Sequence, residues 1–242
     1  MHYWAVTDPG CVRSQNQDTY IIQKLAKGAV LCVVCDGMGG AKSGNVASSV
    51  AAEVFTKELL RSYKGQTDRE DLEQMLEKAV RLANHTVFEQ ARLNADFEGM
   101  GTTLVAALIK GKQVAVVNVG DSRLYRINDE IKQITEDHSL VQMMLRRGEL
   151  TREQAKNFPG KNYITRAIGT EATIDCDYFH LDMKKGECLL LCSDGLSNLL
   201  DEQEILFEVV HGTKMDHCCQ RLRDIAIKRG APDNVTSILV QI

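Results

Sequence analysis

GTTLVAALIKGKQVAVVNVGDSRLYRINDEIKQIT, residues 101–135, reads as four strands in a meander. Each apolar run is strand-sized and rich in Val, Leu or Ile, and Gly111 and Asn128-Asp129 supply hairpin turns between them. Connections that short join antiparallel neighbours, because a parallel pair needs a long crossover. Upstream, HYWAVTD, DTYIIQKL and AVLCVVCD read as short strands from their β-branched and aromatic content. Apolar side chains then recur at helical spacing from about 44 to 63 and again from about 69 to 93, separated by a polar turn containing Gly65. Downstream, residues 138–166 read as helix, turn and helix, with polar loops around Pro159-Gly160, a break in the strand rhythm that suits a mobile flap, at about 138–170, beside a site. Strands resume at 173–181 and 188–193, followed by helices near 202–210 and 215–229 and a last strand at 235–242. Strands in blocks with helices arriving in pairs imply an α+β fold: a central β-sandwich of two antiparallel sheets flanked by helices, not a doubly wound parallel sheet.

Composition narrows the function classes. At 242 residues and 44% hydrophobic content the chain can bury a substantial core as one domain, residues 1–242, and no Pro-rich, Ser-rich or low-complexity linker divides it. Net charge is −4 with Lys and Arg dispersed, which argues against a nucleic-acid surface. No apolar run is long enough for a bilayer, and MHYWAVTDPG lacks the basic and apolar blocks of a secretory signal, so a cytoplasmic protein without membrane contact is expected. The eight cysteines then read as reduced thiols, four of them (Cys32, Cys35, Cys188 and Cys192) inside apolar runs. Cys32 and Cys35 have the spacing of half a zinc site, but on a strand they face opposite sides.

Four aspartates stand in small-residue turns directly beside apolar runs: Asp36 in VLCVVCDGMGG, Asp121 in VAVVNVGDSRLY, Asp194 in ECLLLCSDGLS and Asp233 in APDNVTSILV. Taken singly, Asp-Gly and Asp-Asn are ordinary turn formers. Taken together, carboxylates at strand ends can converge on one rim, where they repel unless a cation sits among them. Oxygen ligands without His or thiolate suit Mg²⁺ or Mn²⁺, so the chain reads as a metal-dependent hydrolase.

The ordered motifs carry a resemblance. Arg13-Ser14-Gln15-Asn16-Gln17-Asp18, Asp36-Gly37-Met38-Gly39-Gly40, Gly101-Thr102-Thr103, Gly120-Asp121-Ser122-Arg123, Asp137-His138-Ser139, Thr165-Arg166-Ala167-Ile168-Gly169, Ser193-Asp194-Gly195 and Asp233-Asn234-Val235-Thr236 run from end to end of the chain. In that order they resemble the PP2C (PPM) family of protein serine/threonine phosphatases, most closely its compact bacterial members. The resemblance implies an α-β-β-α sandwich with a two-ion Mn²⁺ or Mg²⁺ centre at one end. Asp36 would bridge the ions, the Gly37 carbonyl would bind one, Asp194 and Asp233 would complete the other's ligands, and Asp121 would help hold a third, looser ion. Arg13 resembles the phosphate-binding arginine, a role suited to a guanidinium fork that stays charged. Asp18 falls in or near the metal shell, and Asn234 would orient ligands from behind it.

The implied chemistry is direct attack on phosphorus by a water or hydroxide bridging the ions, without a covalent phosphoenzyme. Two positions depart from many relatives: Met38 replaces a histidine proposed as general acid, leaving that acid unidentified, and Gln17 replaces a glutamate. His138 reads as structural or capping as readily as catalytic, Trp4 as core, and Thr165 and Arg166 as either phosphoprotein contacts or turn residues. The resemblance implies phosphoserine and phosphothreonine proteins as substrates and a Hanks-type Ser/Thr kinase as the opposing enzyme; monomer is the default without a heptad or exposed apolar strip. A P-loop at Gly39-Gly40-Ala41-Lys42-Ser43 fails because Ala41 stands where glycine is needed. A cysteine-dependent phosphatase fails because Asp224 and Ile225, not arginine, stand six residues beyond Cys218 and Cys219. The remaining rival is a catalytically inactive phosphatase fold serving as a binding module or scaffold.

Overall fold

Residues 1–39, 43–156, 158–160 and 162–242 are described by a computed structural model. The P-loop-like segment therefore lies partly outside the described residues, as does Gly40 of the Asp36 motif. The first part of the chain forms β1 (His2–Asp8), β2 (Asp18–Lys24), β3 (Val30–Met38), α1 (Gly44–Ser62) and α2 (Arg69–Leu93). The middle forms β4 (Gly101–Thr102), β5 (Leu104–Lys110), β6 (Gln113–Val119), β7 (Arg123–Ile127), β8 (Ile131–Gln133), α3 (Leu140–Arg146) and α4 (Arg152–Lys156). The last part forms β9 (Asp177–Asp182), β10 (Cys188–Cys192), α5 (Asp194–Ser197), α6 (Glu202–His211), α7 (Cys218–Lys228) and β11 (Val235–Gln241).

Two antiparallel sheets result, one in the order β1-β11-β10-β7-β8 and the other β2-β3-β5-β6-β9, with β4 paired to the end of β3. The 101–135 stretch is thus divided between them. β5 and β6 form a hairpin in the second sheet, and β7 and β8 one in the first. The crossing falls at Gly120, whose φ of 103° turns the chain out of β6.

The apolar strand runs do not alternate with polar residues because both faces of each sheet are covered. Along β3, Cys32 and Val34 face the other sheet, packing with Val105, Val116, Leu189 and Ile238. Leu31, Val33 and Cys35 face α1 and α2, packing with Phe55, Leu59, Leu76 and Val80. On the opposite side, Leu190, Cys192 and Leu239 pack against Ile205, Cys219 and Leu222 of α6 and α7. The order helices, sheet, sheet, helices encloses three apolar layers, and each buried Leu or Phe in them contributes about 1.5–3 kcal/mol. Cys32 and Cys35 lie in different layers, and all eight cysteines are free thiols. Trp4 packs, partly buried, against the α6 and α7 layer.

Three local details differ from the periodicity. The strand expected from 173 begins at Asp177, because Asn84 of α2 instead claims the carbonyls of Glu171 and Ala172 at 2.9 and 3.3 Å. The helix expected from 215 opens as a 3₁₀ turn, Met215–His217, before α7. Asp194 stands not in a plain turn but at the first position of the four-residue α5.

Candidate active site

Register brings the first two carboxylates together. Asp18 opens β2 directly opposite Asp36 of β3, and residues paired across a ladder point to the same face. Alternation from Cys32 and Val34 places that face between the two sheets, at one end of the sandwich. Like charges set opposite each other destabilise a ladder. The sequence accepts that conflict here and builds supports around it.

Asp36 is fixed through its backbone by the Gly101-Thr102-Thr103 motif. Its N–H donates to Thr103 Oγ1 at 2.9 Å, and its carbonyl accepts from Thr103 N–H at 2.9 Å and Thr102 Oγ1 at 2.8 Å. Thr103 in turn bonds Ser122 at 2.7 Å, tying β3 to the Gly120-Asp121 bend. Gly37 N–H donates to the Gln17 carbonyl at 3.1 Å, and a Cβ on Gly37 would collide with the Gly44 backbone at the start of α1. That close approach sets α1 against the site.

The other sheet supplies the remaining acids. Ser193, at the end of β10, donates across the gap to Asp18 Oδ2 at 2.7 Å. Asp194 follows at the start of α5, where Asn198 donates to its Oδ2 at 3.0 Å. Asp233 accepts from Arg13 Nη2 at 2.8 Å. Asn234 acts on the loop that carries Arg13: its Oδ1 accepts from Gln17 N–H at 2.8 Å, and its Nδ2 donates to the carbonyls of Pro9 and Gln15 at 2.9 and 3.0 Å. Its side chain therefore holds Arg13's loop in place, while its backbone N–H donates to Asp233 Oδ1 at 2.9 Å.

Arg13, Asp36, Gly37, Asp121, Asp194 and Asp233 line one cavity of about 570 Å³, with Tyr163 of the 138–170 segment at its side. Asp18 lies behind Asp36, 8% exposed, outside that lining. Burial and the neighbouring carboxylates push Asp36 well above the usual carboxylate range, raise Asp194, and lift Asp18 and Asp121 to about 7. Asp194 is among the carboxylates whose charge disfavours ionisation of Asp36. Arg13 is pushed up by Asp233 first, then by Asp36 and Asp194, so it serves as a cation for the whole cluster.

These residues fit a divalent cation. The donors are hard oxygens, the excess of negative charge is buried, and Asp18 Oδ1 is buried without a hydrogen-bond partner. Among the described residues no group of three His, Cys, Asp or Glu side chains forms a complete metal cage as it stands. The carboxylates share a cavity and a field, not a closed shell.

His138 is structural. Its Nδ1 accepts from Gly120 N–H at 3.1 Å, and its Nε2 lies 3.2 Å from Asp177, so the ring is the neutral Nε2–H tautomer, with burial lowering its pKa. Ser139, not His138, caps α3. Arg166 bonds Asp177 at 3.0 Å, and Gly169 N–H is held by Asn84 at 2.7 Å, so the Thr165–Gly169 motif anchors the segment.

A family model described as protein phosphatase 2C matches residues 12–226. The chain belongs to the protein phosphatase 2C family. It is 37% identical to the serine/threonine phosphatase stp of Listeria innocua over 246 residues, covering all of this chain and 96% of that one. Its fold matches the serine/threonine phosphatase Stp1 of Staphylococcus aureus with a TM-score of 0.93 at 35% identity, covering 99% and 94% of the two chains. It also matches the catalytic domain of the serine threonine protein phosphatase PstP in complex with two manganese ions, at a TM-score of 0.84 and 33% identity, over 99% and 97%. Within this protein phosphatase 2C chain, sequence reasoning missed the work of Thr103, Ser122 and Ser193. The signal available was their place inside three of the ordered motifs, with Ser122 and Ser193 directly beside Asp121 and Asp194.

Proposed function

We propose that this protein phosphatase 2C chain is a metal-dependent protein serine/threonine phosphatase, with residues 1–242 as one catalytic domain and 138–170 as its flap. The observation that carries the reading is the convergence of Asp36, Asp121, Asp194, Asp233 and Arg13 on one cavity from both sheets. No helix among the described residues is long and apolar enough to cross a membrane. A cytoplasmic monomer that opposes a Hanks-type Ser/Thr kinase completes the proposal.

Asp36, Asp194 and Asp233, with the Gly37 carbonyl, would hold two Mn²⁺ or Mg²⁺ ions, and Asp121 would help hold a third. When bound, such ions supply Lewis-acid activation of water for direct attack on a phosphate monoester. The chain's own groups do the rest. Arg13, 54% exposed at the mouth, offers its fork to the phosphoryl oxygens, where charge accumulates as the ester breaks. Asn234 keeps that fork in place through the loop, and Thr102 and Thr103 keep Asp36 from shifting. Met38 carries no proton to give, and His138 has both ring nitrogens engaged, so neither protonates the leaving serine or threonine oxygen. Tyr163, 67% exposed beside the cavity, is the flap side chain placed to meet the phosphoprotein.

Hydrolysis of p-nitrophenyl phosphate and of a phosphothreonine peptide, with Mn²⁺ and with EDTA, tests the proposal. Turnover with Mn²⁺ and none with EDTA is expected; silence with both substrates under saturating Mn²⁺ would leave the scaffold reading. Arg13→Ala should lower kcat/KM for the phosphopeptide by on the order of 100-fold, the usual loss of a charge-stabilising donor. Its circular dichroism should stay unchanged, since the Arg13–Asp233 pair is exposed and contributes at most about 1 kcal/mol.

A further inference from the structure

The far end of the β2-β3-β5-β6-β9 sheet, under α1 and α2, holds a second cavity, of about 90 Å³, for which phosphate hydrolysis has no use. It lies where β5 ends, β6 begins, β9 ends and α1 gives way to α2. Val30, at the near end of β3, pairs with Ile109. Asp36 stands six residues further along β3, which at ~3.3 Å per residue separates the two cavities by roughly 20 Å.

Its wall is chemically divided. Leu72 and Leu108 form an apolar floor, and Arg69 and Lys110 bring two cations against the single carboxylate of Asp182. That carboxylate neutralises little, because Arg69 and Asp182 are 3.9 Å apart with side chains 70% and 75% exposed. Lys110 donates one hydrogen bond, 2.9 Å long, to the Gly65 carbonyl, which leaves an ammonium with donors to spare.

Tyr63 adds an independent indication. It lines the cavity, it is 1% exposed, and its hydroxyl has no hydrogen-bond partner. Native folds keep few buried hydroxyls unpaired, because the lost solvation is not recovered. Two cations and this unpaired hydroxyl therefore stand with one carboxylate around a small, partly apolar space, beside the neutral Gln66, Thr67 and Gln113 and beside His180, whose Nε2 is 2.7 Å from Glu73.

We propose that this cavity binds a small carboxylate of about two to four carbons, the size that fits where a water takes ~30 Å³. Its oxygens accept from the Tyr63 hydroxyl and the Lys110 ammonium, and its short chain lies on Leu72 and Leu108. Inorganic phosphate would meet the cations but leave the apolar floor uncovered.

The test titrates the intact protein, in EDTA, with butyrate, acetate and inorganic phosphate, followed by backbone amide shifts and by thermal unfolding. Butyrate should shift the amides of Tyr63, Leu72 and Lys110 saturably, leave those around Asp36 in place, and raise the unfolding temperature. Tyr63→Phe and Lys110→Gln should each weaken butyrate at least about tenfold, the loss expected for a hydrogen bond to a charged group. Tyr63→Phe deletes only an unpaired oxygen, so the ligand-free variant should unfold no lower than the parent. The proposal fails if phosphate but not butyrate moves these amides, if no anion moves them and water alone meets Tyr63, or if both variants bind butyrate as the parent does. Each outcome is read without Mn²⁺, so it stands apart from whether the chain hydrolyses phosphate.

Discussion

Asp36→Asn is expected to lower kcat for p-nitrophenyl phosphate by at least ~10³-fold and, in the same protein stripped with EDTA, to raise the unfolding temperature. The two effects have one cause. Asp36 sits directly across the ladder from Asp18 and feels the charges of Asp194, Asp121 and Asp233 as well. Without a cation every one of those neighbours disfavours its charge. An amide of the same shape keeps the Thr102 and Thr103 bonds, which go to the Asp36 backbone, and removes the repulsion. Relief of even a modest part of it should appear as several degrees, since a chain of this size shifts roughly 2–4 °C per kcal/mol. Added Mn²⁺ should stabilise the parent and do far less for the variant. Differential scanning fluorimetry with and without Mn²⁺, run beside the kinetics, reads both effects. A carboxylate that merely held the fold together would behave oppositely, and a chelated Asp36→Asn that unfolds lower than the parent would count against a metal-ligating role.

The layer order was legible because two-sided burial leaves a distinct mark: VLCVVC has no polar alternation, and its odd and even positions go to different apolar layers. The positions of both long helices and most strands followed from the same periodicity. Which aspartates mattered was also legible, from their recurrence beside such runs and from the ordered motifs. What could not be read was register. Nothing local in DTYIIQK or VLCVVCDGM states that Asp18 faces Asp36, and a slip of one residue would send the two carboxylates to the other face. Long-range polar supports were hidden for the same reason: Ser193 reaches Asp18 across 175 residues of sequence, and Asn84 reaches Gly169 across 85. The division of the 101–135 stretch between two sheets turns on one left-handed glycine, Gly120, which in sequence is indistinguishable from a hairpin turn. The place of Asn234 behind the ligands came only with the resemblance; nothing local in DNVT states that its backbone N–H meets Asp233 Oδ1 while its side-chain amide reaches Gln17, Pro9 and Gln15.

The stability of the chelated protein should fall as pH rises from about 5 to 8, and Mn²⁺ should reverse that slope. Asp18 and Asp121 are raised to about 7 in the folded chain, and Asp36 and Asp194 are raised too. A carboxyl whose folded pKa exceeds its unfolded one favours the fold while it is protonated, a contribution present below the unfolded value near 4 and lost as pH climbs through the folded value. Two sets of groups act in the other direction. Asp177, Glu58 and Glu187 are lowered by hydrogen bonds to His138, Arg61 and Arg126, so their stabilisation holds above about 4 and is lost only in acid. His138, lowered by burial, is lost as pH drops through its folded value, but it is one group against four. The chelated curve should therefore peak near pH 5, with an acid limb set by the ion pairs and an alkaline limb set by the aspartates at the sandwich rim. A cation turns the second limb over, because the carboxylates must ionise to bind it and then no longer repel one another. Urea unfolding between pH 4 and 8, in EDTA and in Mn²⁺, measures both slopes, and a chelated protein whose stability is flat or rising from pH 5 to 8 would show that these four carboxylates do not meet as described.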